Sequence, residues 1–246
     1  MTAIVFMRIF PETFKPRLRT VLQMQATFQE AKREQQSFLA PLEKRSLIWL
    51  AERAPRWINS DHLTVLGLAA LFGAGLSYWW AQSSPAGLYA VIVCLALNWL
   101  GDSLDGTLAR VRNRQRPRYG FYVDHVVDAF GALFLLGGLA LSGFMSERIA
   151  LGLLIAYLML SIEVYLATYA LGTFHLSFWK LGPTELRLLL IAGNISLLVN
   201  PQAGITGTSW RLFDIGGVAG IVGMTLMLVL AAARHTRALY DAERLG

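Results

Sequence analysis

Six apolar stretches dominate the pattern of hydrophobic and polar positions after residue 62. They lie near residues 63–81, 87–110, 119–142, 149–171, 184–200 and 214–233, with short polar connections between them. A helix needs roughly 20 predominantly apolar residues to cross the hydrocarbon core of a bilayer. The pattern predicts an all-α integral membrane protein whose six transmembrane helices form a domain at residues 62–238, followed by a cytosolic tail at 239–246.

The chain before the first span divides into two segments. Residues 1–37 are polar and show no wide apolar face, so we expect a cytosolic N-terminal arm. Residues 38–61 carry apolar side chains at helical spacing, at Leu47, Leu50, Ala51, Ala54 and Ile58. Charged residues occupy positions between them, and this pattern predicts an amphipathic helix lying in the membrane interface. A helix packed on a neighbouring element is the alternative.

Composition and charge support a membrane protein and indicate its orientation. The chain is 55% hydrophobic and 15% charged, whereas soluble domains carry about 25% charged residues. Twenty of the 22 Lys and Arg residues lie in segments that six spans would place on one side, and only Arg148 and Arg211 lie on the other. Since positive residues favour the cytosolic side, we expect both termini there, in a multi-pass protein of the bacterial inner membrane. The net charge of +6 favours contact with membrane lipids over nucleic acid.

Four aspartates stand in otherwise hydrophobic surroundings between residues 98 and 131. Asp102 and Asp105 are three residues apart and share one face of a helix, and Asp124 and Asp128, four apart, share a face of the next. Two adjacent antiparallel helices can therefore bring four carboxylates to one point. Because charged groups inside a membrane are costly, such residues usually mark ion or substrate sites.

The chemistry of clustered carboxylates indicates a divalent cation. Like charges at this spacing repel one another unless cations neutralise them. Hard oxygen ligands suit Mg²⁺, Mn²⁺ or Ca²⁺, whereas Zn²⁺ usually recruits His or Cys. Since Mg²⁺ commonly takes phosphate oxygens of a substrate as its remaining ligands, the cluster, with small residues and arginines beside it, suits a diphosphate-containing substrate.

Eight residues in this region match a known signature, DxxDGxxAR followed by GxxxDxxxD. They are Asp102, Asp105, Gly106, Ala109, Arg110, Gly120, Asp124 and Asp128. In these residues and in its spans the chain resembles the CDP-alcohol phosphotransferases over about residues 38–238, with a loop one residue longer than the commonest spacing. The resemblance implies a homodimeric membrane enzyme of phospholipid synthesis. Such an enzyme moves a substituted phosphate from a CDP-alcohol to the hydroxyl of an acceptor alcohol or lipid and releases CMP.

The resemblance also implies roles for the signature residues. Asp102, Asp105 and Asp124 would bind two divalent cations, Mg²⁺ or Mn²⁺, and Asp128 would complete the cluster and act as the catalytic base. The remaining small and basic positions would line the cytidine diphosphate site together with the first two aspartates, namely Gly106, Ala109, Arg110 and Gly120.

The sequence does not identify the donor alcohol or the acceptor alcohol. Residues 182–185, GPTE, resemble a segment of the choline- and ethanolaminephosphotransferases, although a turn that opens a helix is the plain alternative. If the resemblance holds, a CDP-aminoalcohol is the donor. Many bacterial family members instead use CDP-diacylglycerol. Candidate acceptor-site residues are Glu163, His175, Lys180, Glu185 and Arg187.

Two other functions use clustered carboxylates in membranes. An intramembrane prenyltransferase would also bind a Mg²⁺–diphosphate, but more spans and a second aspartate cluster on separate helices would be expected. A cation transporter, from a different functional class, would show ion flux without CMP formation. It is less favoured because the two halves of the chain show no convincing repeat.

Overall fold

Seven α-helices make up the part of the chain that the structure, a computed structural model, describes: residues 40–171, 183–200 and 210–244. They are α1 (Ala40–Arg53), α2 (Ser60–Trp80), α3 (Ala86–Val111), α4 (Pro117–Leu141), α5 (Glu147–Leu171), α6 (Pro183–Val199) and α7 (Leu212–Ala242). The predicted N-terminal arm lies outside the described residues. The expected all-helical class is confirmed.

Five of these helices are long and apolar enough to cross a membrane, which supports a multi-pass protein. They are α2, α3, α4, α5 and α7. The remaining predicted span corresponds to α6, which has only 17 residues. The helix α7 has 31 residues and continues to Ala242, so part of the predicted tail is helical.

The predicted helix over residues 38–61 is wrong beyond Arg53, where α1 ends. Pro55 explains the early end, because proline has no backbone N–H and disfavours the helical conformation of the residue before it. A new helix then begins with a capping box. The Asn59 side chain accepts a hydrogen bond from the His62 N–H at 3.0 Å, and His62 Nδ1 accepts one from the Asn59 N–H at 3.3 Å.

Helix α1 packs on a neighbouring helix. Leu47 and Ala51 are buried in a cluster with Leu63 of α2 and with Leu104 and Leu108 of α3. Trp49, on the same helix, remains 54% exposed. The packing matches the alternative reading of this segment, and its placement in the membrane interface stays a prediction.

The junction after α1 is bound to the end of α3. Arg112 donates from Nη2 to the carbonyl oxygens of Ala54 at 2.8 Å and Pro55 at 3.0 Å. Its Nη1 donates to the carbonyl oxygen of Ile58. Because these carbonyls follow the last turn of α1, one arginine holds the non-helical connection in place.

Helix α2 lies against both α3 and α4, and glycines make these approaches close. A Cβ on Gly101 of α3 would lie 2.6 Å from the Leu63 carbonyl oxygen and 2.7 Å from the Gly67 nitrogen. A Cβ on Gly138 of α4 would lie 2.3 Å from the Gly75 Cα. Lipid tails are as apolar as leucine, so close van der Waals packing rather than hydrophobic burial holds such helices together.

The remaining helices complete the arrangement around these three. Helix α5 packs on α4 and α7, and α6 packs on α3. Asn194 of α6 donates from Nδ2 to the hydroxyl oxygen of Tyr78 on α2 at 2.9 Å, and Tyr78 is fully buried. The last turns of α3 and the first turns of α4 thus both lie around the first turns of α2 at one end of the bundle, near α1 and the start of α6.

Candidate active site

All four signature aspartates line one narrow cavity. Helices α3 and α4 run antiparallel, and each contributes two carboxylates near the end that faces the 112–116 connection. Helix α2 supplies most of the remaining wall. The lining residues are Thr64, Gly67, Leu71, Asn98, Asp102, Asp105, Asp124, Val127 and Asp128. The four carboxylates thus come together as the helical spacing predicts.

Asp105 is the most enclosed of the four, with 9% of its surface exposed. Its Oδ2 accepts a hydrogen bond from Thr64 Oγ1 at 2.8 Å, and its Oδ1 accepts one from the Gly106 N–H at 2.5 Å. Ser60 Oγ donates to the Asp105 carbonyl oxygen at 2.9 Å. The first turns of α2 therefore position this carboxylate, and the hydroxyls that do so were not predicted as site residues.

Asp102 is bound by an arginine from another helix. Arg187 of α6 donates from Nη2 to Asp102 Oδ2 at 2.5 Å and from Nε to Asn98 Oδ1 at 2.7 Å. Asn98 is 4% exposed, and its Nδ2 donates to the Gly67 carbonyl oxygen at 3.0 Å. Sequence reasoning assigned no role to Asn98, although a side-chain amide inside an apolar span needs hydrogen-bonding partners when it is buried.

Each of the two helices contributes one exposed carboxylate, and on α3 it is Asp102, whose side chain is 42% exposed. Asp128 is exposed and Asp124 is half-buried. His125, between them in sequence, packs its ring on Tyr165 of α5 with ring centroids 4.5 Å apart, and on Phe121 at 4.1 Å. The contact with Tyr165 joins α4 to α5 next to the carboxylates.

The other signature residues are not among the described residues that line the cavity. Arg110 donates from Nη2 to Thr107 Oγ1 at 3.0 Å. A Cβ on Gly106 would meet only the Arg110 guanidinium, at 3.5 Å, and a Cβ on Gly120 would meet no atom within 4 Å. Helix packing therefore does not require either residue to be glycine, and space is open beside both.

The candidate acceptor-site residues are not all brought together. His175 and Lys180 lie outside the described residues. Glu185 is half-buried in the first turn of α6. Glu163 of α5 pairs with His235 of α7, with Oε1 and Nδ1 2.6 Å apart, and its other oxygen is buried with no hydrogen bond from the described chain.

The donor set fits Mg²⁺ or Mn²⁺ by its chemistry, because four carboxylates line one cavity. The described side chains nevertheless include no group of three Asp, Glu, His or Cys residues arranged to hold a metal ion. Asp102 and Asp105 are instead engaged by Arg187 and Thr64. Binding a cation here would require at least some of these side chains to move.

A comparison with protein families agrees with the signature. The model of the family described as CDP-alcohol phosphatidyltransferase matches residues 57–235, well over half of the chain and all eight signature positions. Members of this family are transferases of substituted phosphate groups in phospholipid synthesis, and they generally depend on Mg²⁺ or Mn²⁺. The resemblance seen in the sequence is thereby confirmed, and the chain belongs to the CDP-alcohol phosphatidyltransferase family of membrane enzymes.

Proposed function

We propose that the aspartate cavity is the active site, at which a substituted phosphate passes from a CDP-alcohol to an acceptor hydroxyl with release of CMP. The supporting observation is that four carboxylates from α3 and α4 line a single cavity in a chain of this family. A prenyltransferase or a cation transporter does not account for the family match.

The metal ligands in this proposal are Asp102, Asp105 and Asp124, with Asp128 completing the set for two ions. When bound, divalent cations at this position would neutralise the diphosphate and stabilise the departing CMP. The protein's own contribution is to hold the carboxylates on two rigid helices. Asp105 in particular is oriented by Thr64 and by the Gly106 N–H.

Asp128 is the proposed catalytic base, and it is exposed where an acceptor can approach. The acceptor oxygen forms a bond to phosphorus while the bond from phosphorus to the CMP oxygen breaks. The hydroxyl proton passes to an Asp128 carboxylate oxygen and from there to water. A carboxylate close to cations is a weak base, so the hydroxyl must be held within hydrogen-bonding distance of it.

The donor site in this proposal lies beside Gly106, Ala109, Arg110 and Gly120. The open space next to the two glycines supports room for a cytidine diphosphate there. Arg110 is suited to bind a phosphate because its planar guanidinium can donate two parallel hydrogen bonds.

The finer assignments also belong to this proposal. The helix α6 would be the sixth span, and both termini would lie on the cytosolic side of a bacterial inner membrane. The enzyme would act as a homodimer. The donor is either CDP-diacylglycerol or a CDP-aminoalcohol, and Glu185 and Arg187 at the start of α6 are the first residues to test for acceptor recognition.

CMP release by purified protein tests the function directly. The protein would be incubated with Mg²⁺ or Mn²⁺ and a matrix of CDP-alcohols and acceptors. We expect Asp128→Asn to lower turnover by about 100-fold or more, in the range for loss of a general base, with donor binding largely kept. Glu52→Gln is the matched control, because it removes the same charge from an exposed position on α1.

Two results would contradict the proposal. Folded protein that releases no CMP from any donor and acceptor pair would oppose the activity itself. Full turnover in Asp128→Asn would remove this residue from the role of base while leaving the activity in place.

A further inference from the structure

Arg187 is a partly buried cation that binds the signature carboxylate of Asp102, whose own side chain is 42% exposed. The Arg187 side chain is 15% exposed, and it contacts Asp102 at 2.5 Å and Asn98 at 2.7 Å. Asn98 is itself held by the Gly67 carbonyl oxygen. The guanidinium therefore has two protein partners, one of which is itself held in place, unlike a surface arginine that moves freely in solvent.

A second attachment holds the same turn of α6 against α3. Thr184 Oγ1 donates to Glu43 Oε1 of α1 at 3.0 Å. The same Glu43 oxygen accepts hydrogen bonds from Trp99 Nε1 at 2.8 Å and Ser103 Oγ at 3.3 Å, both on α3. Thr184 and Arg187 are three residues apart and share one face of α6. Glu43 thus connects α1, α3 and α6 next to Asp102 and keeps Arg187 within reach of it.

The position of Arg187 affects any cation that binds Asp102. The guanidinium neutralises one of four carboxylates that line a common cavity, which relieves their mutual repulsion. A divalent cation at the same carboxylate would be repelled by a positive charge so close to it. Arg187 therefore opposes the binding of a divalent cation to Asp102.

We propose that Arg187 is a tethered counter-cation that competes with the divalent cation for Asp102, so that cation binding in the cavity requires Arg187 to release this carboxylate. The proposal rests on the proposed function, because it takes Asp102 as a metal ligand. It makes Arg187 a positioning residue that sets the concentration of cation at which the site fills.

The test measures the affinity of the purified full chain for Mn²⁺ in the absence of substrate. Binding is monitored through the decrease in the electron paramagnetic resonance signal of free Mn²⁺. We expect Arg187→Gln to bind Mn²⁺ about tenfold more tightly than the unaltered protein, a typical size for coupling between two ligands. Arg187→Lys keeps a positive charge and should stay within about twofold. Arg211→Gln, an exposed arginine that does not line the aspartate cavity, is the matched control and should leave the affinity unchanged.

A second variant, which leaves Arg187 in place, tests the proposal even if Arg187→Gln does not fold. Thr184→Val removes the hydrogen bond to Glu43 and should tighten Mn²⁺ binding by a smaller factor. Folded Arg187→Gln with unchanged or weaker Mn²⁺ affinity would overturn the proposal. Should Arg187→Gln fail to fold, unchanged affinity in folded Thr184→Val would overturn it.

Asp102→Asn separates this inference from the function on which it rests. If the unaltered protein binds Mn²⁺ no better than Asp102→Asn does, Asp102 is not a metal ligand and the proposed metal site itself fails. If binding depends on Asp102 but Arg187→Gln does not strengthen it, only the competition fails.

Discussion

The two halves of the aspartate site differ in how firmly the fold holds them. The half on α3 lies in a helix with ten buried residues that packs on α1, α2 and α6. The half on α4 lies in a helix with two, Gly131 and Leu139. Each half has one exposed carboxylate, but the second one on α3, Asp105, is enclosed and hydrogen-bonded to α2, whereas the second one on α4, Asp124, is half-buried. The α3 half is therefore built into the packed part of the fold more fully than the α4 half.

The glycines show the same contrast. Gly101, outside the signature, lies where α2 and α3 approach closely, and a side chain there would collide with backbone atoms. Gly106 and Gly120, within the signature, have room for a methyl group. Alanine would favour a helix at such positions by about 1 kcal/mol over glycine. Keeping glycine there is consistent with space reserved for a ligand.

The largest effect on folding is expected from Gly101→Ala. Its Cβ would lie 2.6 to 2.9 Å from backbone atoms of Leu63 and Gly67, so α2 and α3 would have to separate. Overpacking of this kind costs about 1–3 kcal/mol or more. We expect a fall of about 2–12 °C in the unfolding midpoint, measured by thermal unfolding in detergent. Gly137→Ala on α4 is the matched control, since no atom lies within 4 Å of its added Cβ. Equal midpoints for the two variants would contradict the close packing of α2 on α3.

A smaller effect on stability, with a large loss of activity, is expected from Asp105→Asn. The asparagine removes a buried charge, and its amide can donate a hydrogen bond to Thr64 Oγ1. The Thr64 hydroxyl can then donate to the Ser60 carbonyl oxygen, which already lies 3.0 Å away. We expect the unfolding midpoint measured in EDTA to rise by about 2–4 °C, the shift for roughly 1 kcal/mol in a chain of this size. CMP release should fall by about 100-fold or more because a metal ligand is lost.

Asp124→Asn is the partner variant on α4. It should lose CMP release to a similar extent, while its midpoint shifts by less than about 1 °C because this side chain is only half-buried. The comparison between the two halves would be broken if the two asparagine variants shifted the midpoint equally.

The smallest effect on the reaction is expected from Glu163→Gln. The structure pairs Glu163 with His235 between α5 and α7, and glutamine keeps an oxygen that can accept from His235. We expect the KM for each acceptor to stay within about twofold of its value in the unaltered protein, because the substitution removes no contact with the acceptor. A KM raised tenfold for one acceptor, with the donor KM unchanged, would instead place Glu163 in the acceptor site.

Much of this arrangement follows from local features of the chain. The positions of the five long apolar helices follow from the length of each hydrophobic run. The meeting of four carboxylates follows from spacings of three and four residues on consecutive antiparallel helices. The end of α1 could also have been predicted, because Pro55 is incompatible with a continuous helix. The predicted helix was too long because the apolar periodicity continues beyond this proline.

The hydrogen-bonding partners of the carboxylates could not be predicted from local sequence patterns. Thr64, Asn98, Glu43 and Arg187 come from separate helices, and which of their faces meet depends on how each helix is rotated and how closely glycines allow it to approach. A pattern along one helix contains no information about its rotation against another.

The sequence alone determined the helices, the family and the four aspartates, because periodicity and signature spacing are local properties. Only the tertiary structure decided that Thr64 holds Asp105 and that Arg187 holds Asp102. Those contacts join residues 41 and 85 positions apart, and they exist only once the helices have packed.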